Sequence, residues 1–492
     1  MLFYILLVLC LILLCCFLFV NKNRDYWKKR NVVQVNGTLW KFLFSGRSLS
    51  EIYKEIYEEH NESHIGFFLG ANPALIIKDL EDIQAVLAGE FHSFYNRGII
   101  QRNPSDILAD NILFIDEFQK WKIIRNKFSP VFTSLRLKTM YVVIEKCAKD
   151  FVELIANDTT MNDKPFNALY TYTAASIGAS VFGIETVTGK NLMESPFLDM
   201  AWKCMTPSLK LNLKFCIGNV SPKLFKWLDL KLFGEHEDFF LNAVKSVLKR
   251  RRNAEKQSDF IDLCLELQKQ GTMIDPVSGY RLEPSDEIIA AQAFFFFLAG
   301  IDTTANAMHF TLLELASNPN VLSKLHDEID AVFRNNKQEL SYDDLDKMQY
   351  LDMVINEAMR KYPPIGAIQR KCTKGTVLSS KNVKVEKDTI IVIPIYALHR
   401  DESLYPDPEL FDPQRFDPNE MKVQKYSFLG FGEGNRICLG ARFARLQMKA
   451  GLAWLLRRFT LVEQHYKKDR FEPSAFSIRD ADAKYEFIPR NV

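Results

Sequence analysis

Apolar residues recur every three to four positions from Met140 to Ile155, from Asp238 to Lys249, and from Leu439 to Phe459 through Phe443, Leu446, Ala450 and Trp454. That spacing lays one apolar stripe along a helix. Shorter runs of β character are fewer: IGFFLG, ALIIKD, TVLSS and TIIVIPIYAL. From Pro363 onward the chain is Pro-rich and irregular, and no internal repeat or low-complexity linker divides it. The pattern predicts one mainly α domain with a small β region, an α+β fold, rather than alternating β and α units. One stretch breaks the amphipathic rule. EIIAAQAFFFFLAGIDTTANAMHFTLLELAS is apolar on nearly every side, so it reads as a buried helix. Burying Asp302, Thr303 and Thr304 within it is costly unless they are paired. Mid-helix threonines commonly bond the carbonyl a turn back.

The first twenty residues, Met1 to Val20, carry no charge and no strongly polar side chain. As a helix, ~20 residues at ~1.5 Å each span a hydrocarbon core of ~30 Å. No basic residue precedes the run, whereas Lys22, Arg24, Lys28, Lys29 and Arg30 follow it. A cleaved leader has the opposite arrangement. The expectation is a retained transmembrane anchor over 1–20, a basic linker over 21–50 and a body over 51–492 on the cytosolic side. Tyr26 and Trp27 are expected at the membrane interface.

Of the 492 residues, 47% are hydrophobic and 25% charged, with a net charge of +2. No global field therefore favours nucleic acid, and the KRRR run at Lys249–Arg252 reads as a solvated helix end. Thirty-eight phenylalanines point to a large apolar volume. The nine cysteines include no C-x-x-C pair, which argues against a disulfide framework and a cysteine-rich zinc site.

One cysteine has unusual neighbours. In FGEGNRICLG, Cys438 follows two glycines and Arg436 and precedes Gly440 and a helix-like segment. Gly432, Gly434 and Gly440 let backbone approach a flat ligand and adopt positive φ. Backbone N–H groups and a helix start near Leu439 would steady a thiolate. Arg436 would meet an anionic edge of the ligand, and Phe431 would shield the sulfur. A single thiolate suits haem iron better than an iron–sulfur cluster or zinc.

F-x-x-G-x-R-x-C-x-G resembles the haem-binding signature of the cytochrome P450 monooxygenases. That family is a standard case of thiolate-ligated haem. Three further constellations resemble it in the right order: AGIDTTA at Ala299–Ala305, Glu357-x-x-Arg360 followed by Pro413-Gln-Arg415-Phe416, and Trp121-x-x-x-Arg125. The resemblance covers the chain from the anchor to the C-terminus. The FFFFLAGIDTT helix, the RKYPP run and SPKLFKWLDLKLF look like insect microsomal enzymes related to vertebrate 3A-type drug-metabolising forms. The usual Pro-rich hinge after the anchor is missing, and Gly430, Asn435 and Gln414 stand where relatives often have proline, proline and glutamate.

The resemblance implies haem b (iron protoporphyrin IX) with Cys438 as axial ligand. It implies that Thr303 holds dioxygen and its water, that Asp302 helps relay protons, that Gly300 allows a helix groove, and that Ala299 lies over the haem. Arg97, Trp121, Arg125, Arg370 and Arg436 would hold the propionates, with Phe431 and Gly440 at the thiolate. Glu357, Arg360 and Arg415 would form a structural lock. The implied reaction inserts one oxygen atom into a hydrophobic small molecule, either a xenobiotic or an endogenous lipid or hormone. The pocket is expected from the loop after Arg97, the residue-200s region, Phe295–Ala299, Pro364–Ile368 and Pro473–Ile478. No Gly-rich dinucleotide fingerprint follows a strand, so electrons are expected from NADPH–cytochrome P450 reductase, with a small b-type cytochrome as a second donor. Lys120, Lys122, Lys127, Arg442, Arg445 and Lys449 are expected to dock the reductase. The implied location is the endoplasmic reticulum membrane, held by a single-pass anchor, with the catalytic domain on the cytosolic face. Two other readings remain: a haem–thiolate isomerase or dehydratase, which the Asp302–Thr303 pair disfavours, and a non-catalytic membrane-anchored binding protein.

Overall fold

The long apolar stretch is a single unbroken helix, Asp286–Ser317, in the computed structural model. The structure describes residues 25–491 except 71, 100–102, 159–163, 184–194, 254–255, 257–258, 337–338, 465–470 and 481. The expected anchor at 1–20 lies outside the described residues. Ser285 caps the long helix by accepting from the Ile288 N–H, and Asp286 and Glu287 complement the dipole in its first turn. It is long and apolar enough to cross a membrane, yet most of it is buried inside the fold.

The helices that position the site are α1 (Thr38–Phe44), α2 (Phe118–Phe128), α3 (Ser134–Asn157), α4 (Pro165–Phe182), α5 (Pro196–Met205), α6 (Leu209–Val220), α7 (Glu237–Arg251), α8 (Asp286–Ser317), α9 (Gln349–Lys361) and α10 (Ala441–Arg458). The three amphipathic segments expected from spacing form α3, α7 and α10. α4 and α8 approach closely. A Cβ on Gly300 would lie 2.9 Å from Ile177 Cγ1, so the glycine lets α4 approach α8 closely.

Among the described residues the main sheet has five strands: β1 (Val33–Gln34), β2 (His64–Leu69), β3 (Asn72–Ile77), β4 (Ile368–Lys371) and β5 (Ile390–Ile393), in the order β1-β2-β3-β5-β4. β3 runs parallel to β5, and β4 is antiparallel to it. Alternation sorts the side chains: Leu75, Ile77, Ile391 and Ile393 enter one core, Ala74, Ile76, Ile390 and Val392 the other. TIIVIPIYAL is strand only to Ile393; Pro394 ends it and Ile395–Leu398 turns helical. TVLSS narrows to Thr376–Leu378, which pairs with Val383–Val385. A further hairpin, Phe459–Glu463 with Tyr485–Pro489, was not expected from the pattern.

Two parts of the 21–50 segment pack against the rest of the fold. Trp27 is buried, not interfacial: its indole N–H donates to the Phe67 carbonyl at 2.9 Å, and its ring fills the space a Cβ on Gly66 would need. Val33–Gln34 joins the edge of the sheet.

Candidate functional site

The Cys438 loop folds back on itself. The Cys438 N–H donates to the Phe431 carbonyl at 2.9 Å, and Ile437 N–H to Gly434 at 3.0 Å. Gly432 and Gly434 sit at φ +70° and +75°, as the sequence implies. At Gly434 a Cβ would lie 2.0 Å from the Leu87 carbonyl oxygen, so no side chain fits. Gly440 departs from the expectation: its φ is −92° and it caps α10, which starts at Ala441 rather than Leu439. The positive end of that helix faces the cysteine, and the Gly440 N–H bonds the sulfur.

Cys438 has accessible surface although Arg436 and Phe443 beside it are buried. The surrounding protein pushes its thiol pKa up; the Gly440 N–H and the charges of Arg125 and Arg97 pull it down. The sulfur is thus enclosed by protein while the residue keeps accessible surface. Phe431 is half-buried, with the Arg445 guanidinium 5.1 Å from its ring centre.

Four cationic or N–H donors gather near this loop with unmet hydrogen-bonding capacity. Arg436 is buried, its Nε, Nη1 and Nη2 all without a hydrogen-bond partner among the described residues, and its guanidinium lies 4.2 Å over the Trp121 ring. Trp121 Nε1, Arg97 Nε and Arg370 Nε are also unpartnered. Arg97 reaches only the Arg436 carbonyl at 3.4 Å, and Arg370 the Gln369 carbonyl at 2.8 Å. Burial, then repulsion from Arg97, Arg370 and Arg125, pushes Arg436 down to about 7. Burial and the Arg125 charge push Arg97 to about 10. A guanidinium stays charged in proteins, so these shifts express a demand for anions. Two carboxylates would meet it with charge-assisted hydrogen bonds. The donor set therefore fits a flat ligand with one metal-facing thiolate and a dianionic edge, as haem is.

Along α8, Asp302 and Thr304 are buried, whereas Phe295, Ala299 and Thr303, spaced four apart, keep accessible surface on one face. The Thr303 hydroxyl donates to the Ala299 carbonyl at 2.6 Å, the turn-back bond weighed from sequence. Asp302 does not face open solvent. Its Oδ1 lies 3.3 Å from Arg479 Nη1, and its Oδ2 accepts from Asn306 Nδ2 at 3.1 Å. Burial raises it to about 6 despite the Arg479 charge.

The expected lock is assembled. Glu357 and Arg360, both fully buried, pair at 2.8 Å, and Arg415 Nε lies 3.5 Å from the same carboxylate. Glu357 also accepts the Asp412 N–H at 2.9 Å, and Arg360 donates to the carbonyls of His399 and Pro408, each at 2.7 Å. Burial outweighs both guanidiniums and raises the Glu357 pKa. His399, not singled out in the sequence, links this lock to the cysteine loop: its Nδ1 meets the Arg360 carbonyl at 3.1 Å and its Nε2 accepts the Leu429 N–H at 2.9 Å. The ring must be neutral, and burial depresses it from 6.5 to about 3. The unfolded chain takes up that proton below pH 6.5 and the folded one does not, so this contribution is intact above 6.5 and is lost as pH falls towards 3. The expected slope is about 1.4 kcal/mol per pH unit. Urea unfolding of the parent and of His399→Gln should diverge by that slope below pH 6.5; parallel curves would remove His399 from the lock.

The basic docking face is thinner than the sequence suggested. Lys449 is buried and bonds Asp352 and the Met348 carbonyl, and Arg445 turns to Asp352 and Asn356. Lys120 and Lys122 pair with Asp110 and Asp275. Arg442 stays exposed. Arg479 is the other residue missed: in FSIRDAD it follows no periodic signal, and only the fold brings it to Asp302.

A family model described as Cytochrome P450 matches residues 28–487. The probable cytochrome P450 6a13 of Drosophila melanogaster is 36% identical over 88% of each chain. Cytochrome P450 6A1 of Musca domestica is 33% identical over 90% of this chain and 88% of its own, and cytochrome P450 6k1 of Blattella germanica is 32% identical over 92% and 90%.

Proposed function

The chain belongs to the cytochrome P450 family and is a haem–thiolate monooxygenase; from that premise we propose that it oxidises hydrophobic small molecules with electrons passed from NADPH by a separate flavoprotein reductase. The observation that carries the site assignment is the set of buried N–H donors with no partner among the described residues, the whole guanidinium of Arg436, Nε of Arg97 and Arg370 and Nε1 of Trp121, beside an accessible Cys438. Cys438 is the proposed iron ligand. When bound, the haem supplies the activation of dioxygen, one atom going into substrate and the other leaving as water. Arg436, Arg97, Arg125, Arg370 and Trp121 would hold its propionates. The Gly440 N–H and the start of α10 favour the thiolate form of Cys438. Thr303 and Asp302 carry protons towards the cleft, and the apolar face of α8 at Phe295 and Ala299 excludes bulk water and orients substrate.

The proposed location is the cytosolic face of the endoplasmic reticulum, the body at 51–492 anchored through 1–20. An exposed apolar face supports membrane contact: Trp40 and Phe44 of α1 stack at 5.4 Å, and Leu209 and Leu213 of α6 are also exposed. α1 and α6 meet through Phe42 and Phe215, so these residues lie on adjoining elements.

Two measurements test the proposal. Purified protein with reductase and NADPH should consume NADPH in proportion to an apolar probe such as a 7-alkoxycoumarin, and no substrate-dependent consumption would refute it. Reversing Lys127 and Arg442 to glutamate should raise the apparent KM for reductase about tenfold at low salt, since rim charges act chiefly on association. An unchanged KM would move the reductase to another face.

A further inference from the structure

Asp302 of α8 is held by an arginine from the far end of the chain. Arg479 is almost wholly buried, and Nη1 is 3.3 Å from Asp302 Oδ1. The same nitrogen lies 3.5 Å from the Thr206 hydroxyl just beyond α5. Its guanidinium carbon is 4.5 Å from the Trp202 ring of α5 and 4.8 Å from the Phe166 ring of α4. Nε faces Glu472 at 3.2 Å, and Glu472 is partly exposed.

The backbone on either side of Arg479 is pinned. Ile478 N–H donates to the Pro364 carbonyl at 3.2 Å, and Ser477 bridges Ile365. On the other side the Asp480 carbonyl meets His309 Nε2 at 3.0 Å, and His309 Nδ1 meets the Tyr485 hydroxyl at 3.2 Å. The guanidinium is therefore preorganised, wedged between α4, α5 and α8, and not a mobile surface charge reaching inward. Two of its supports, α5 and Pro473–Ile478, are segments expected to line the substrate pocket.

We propose, resting on the monooxygenase reading, that Arg479 is a positioning residue for proton delivery: it fixes the Asp302 carboxylate and sets its proton affinity, and it couples that acid to α5 and to the 473–478 loop. Among the described residues, four ionisable groups besides Asp302 face this site. Arg479 is the cation at Asp302. Glu472 opposes it from the C-terminal segment, Tyr170 approaches from α4, and His309 lies further along α8. Burial raises Tyr170 well above its ordinary value, and burial together with the Arg479 charge lowers His309 to about 4, so both stay neutral near pH 7. Glu472 raises the Asp302 pKa and Arg479 lowers it. Removing Arg479 then leaves burial and Glu472 unopposed, and the carboxyl keeps its proton to higher pH.

The test uses the full-length haem-loaded protein and the variants Arg479→Leu, Arg479→Lys and Asp302→Asn. Infrared difference spectra against Asp302→Asn give the carboxyl titration of the ferric protein without turnover. Product formed per NADPH, measured against pH with reductase and a 7-alkoxycoumarin, gives the functional midpoint. Arg479→Leu should raise both midpoints by about one unit or more, as loss of a close opposite charge does. Arg479→Lys, which keeps the charge, should restore most of the shift, which a purely structural role would not do. If Asp302→Asn uncouples turnover while Arg479→Leu and Arg479→Lys leave both midpoints in place, the inference falls and the monooxygenase reading stands. If Arg479→Leu does not fold, an unshifted Arg479→Gln overturns the inference and a shifted one supports it. A parent protein without a thiolate-type carbon monoxide band overturns both.

Discussion

Cys438→His will abolish product formation, by about 1000-fold or more, and will move the carbon monoxide band of the reduced protein from the thiolate to the imidazole position. A thousandfold loss corresponds to about 4 kcal/mol of barrier. The sulfur is the atom towards which the loop is built: the Gly440 N–H, the start of α10 and the fields of Arg125 and Arg97 all favour its anion. Surrounding protein opposes the anion, and a ligated metal ion reverses that balance outright. Histidine can ligate iron but donates far less electron density to the bond that must break. The arginine cluster is untouched by the substitution, so haem content should survive. Loss of all haem would mean that the cysteine is needed to assemble the site, not only to tune it. A parent spectrum of the imidazole type would refute the ligand assignment.

The second large effect is expected at the lock. Arg360→Leu should cost about 3–5 kcal/mol, because it takes the two close hydrogen bonds from the buried Glu357 carboxylate and leaves it only the longer contact with Arg415. It also removes the donor that satisfies the His399 and Pro408 carbonyls. Replacing a whole buried pair by apolar residues is often nearly neutral. That relief should fail here: Glu357→Leu with Arg360→Leu still leaves the two carbonyls and the Asp412 N–H unmet. The double variant should therefore stay at least about 2 kcal/mol below the parent in urea unfolding. Recovery to parental stability would show that the lock is an ion pair alone. Arg360→Lys should recover part of the loss, since it restores one charge but not the fork that serves both Glu357 oxygens and the His399 and Pro408 carbonyls.

The sequence made some parts of this molecule legible because their chemistry is local. The glycines around Cys438 are required within a few residues of it, and Glu357 and Arg360 share one turn of α9. α8 declared itself by being apolar all round. What was hidden depends on partners distant in the chain. Arg479 looks like a surface arginine among aspartates until α4, α5 and α8 close around it. His399 carries no periodic signal, yet it connects Arg360 to Leu429. Trp27 reads as interfacial by its neighbours along the chain, and only the Phe67 carbonyl and the bare Cα of Gly66 explain why it is buried. Lys449 reads as a surface cation on an amphipathic helix, but it is spent on Asp352. The strand at Ile368–Lys371 and the hairpin closed by Tyr485–Pro489 had no alternation strong enough to stand out; their partners make them strands.

The sheet has a consequence for how the polypeptide is made. β3 pairs in parallel with β5, so Ala74 waits for Ile390. About 300 residues separate them, and at roughly 5–20 residues per second the ribosome takes about 15 to 60 s to supply the missing strand. Throughout that interval β2 and β3 can form a hairpin, but one edge of β3 has unpaired N–H and C=O groups and both faces carry isoleucine and leucine. The helices on the other side of the molecule emerge in between and can begin to pack. Biogenesis thus leaves the oldest part of the chain sticky until nearly the end, which makes a holding chaperone at the nascent amino-terminal hairpin the natural companion of its synthesis.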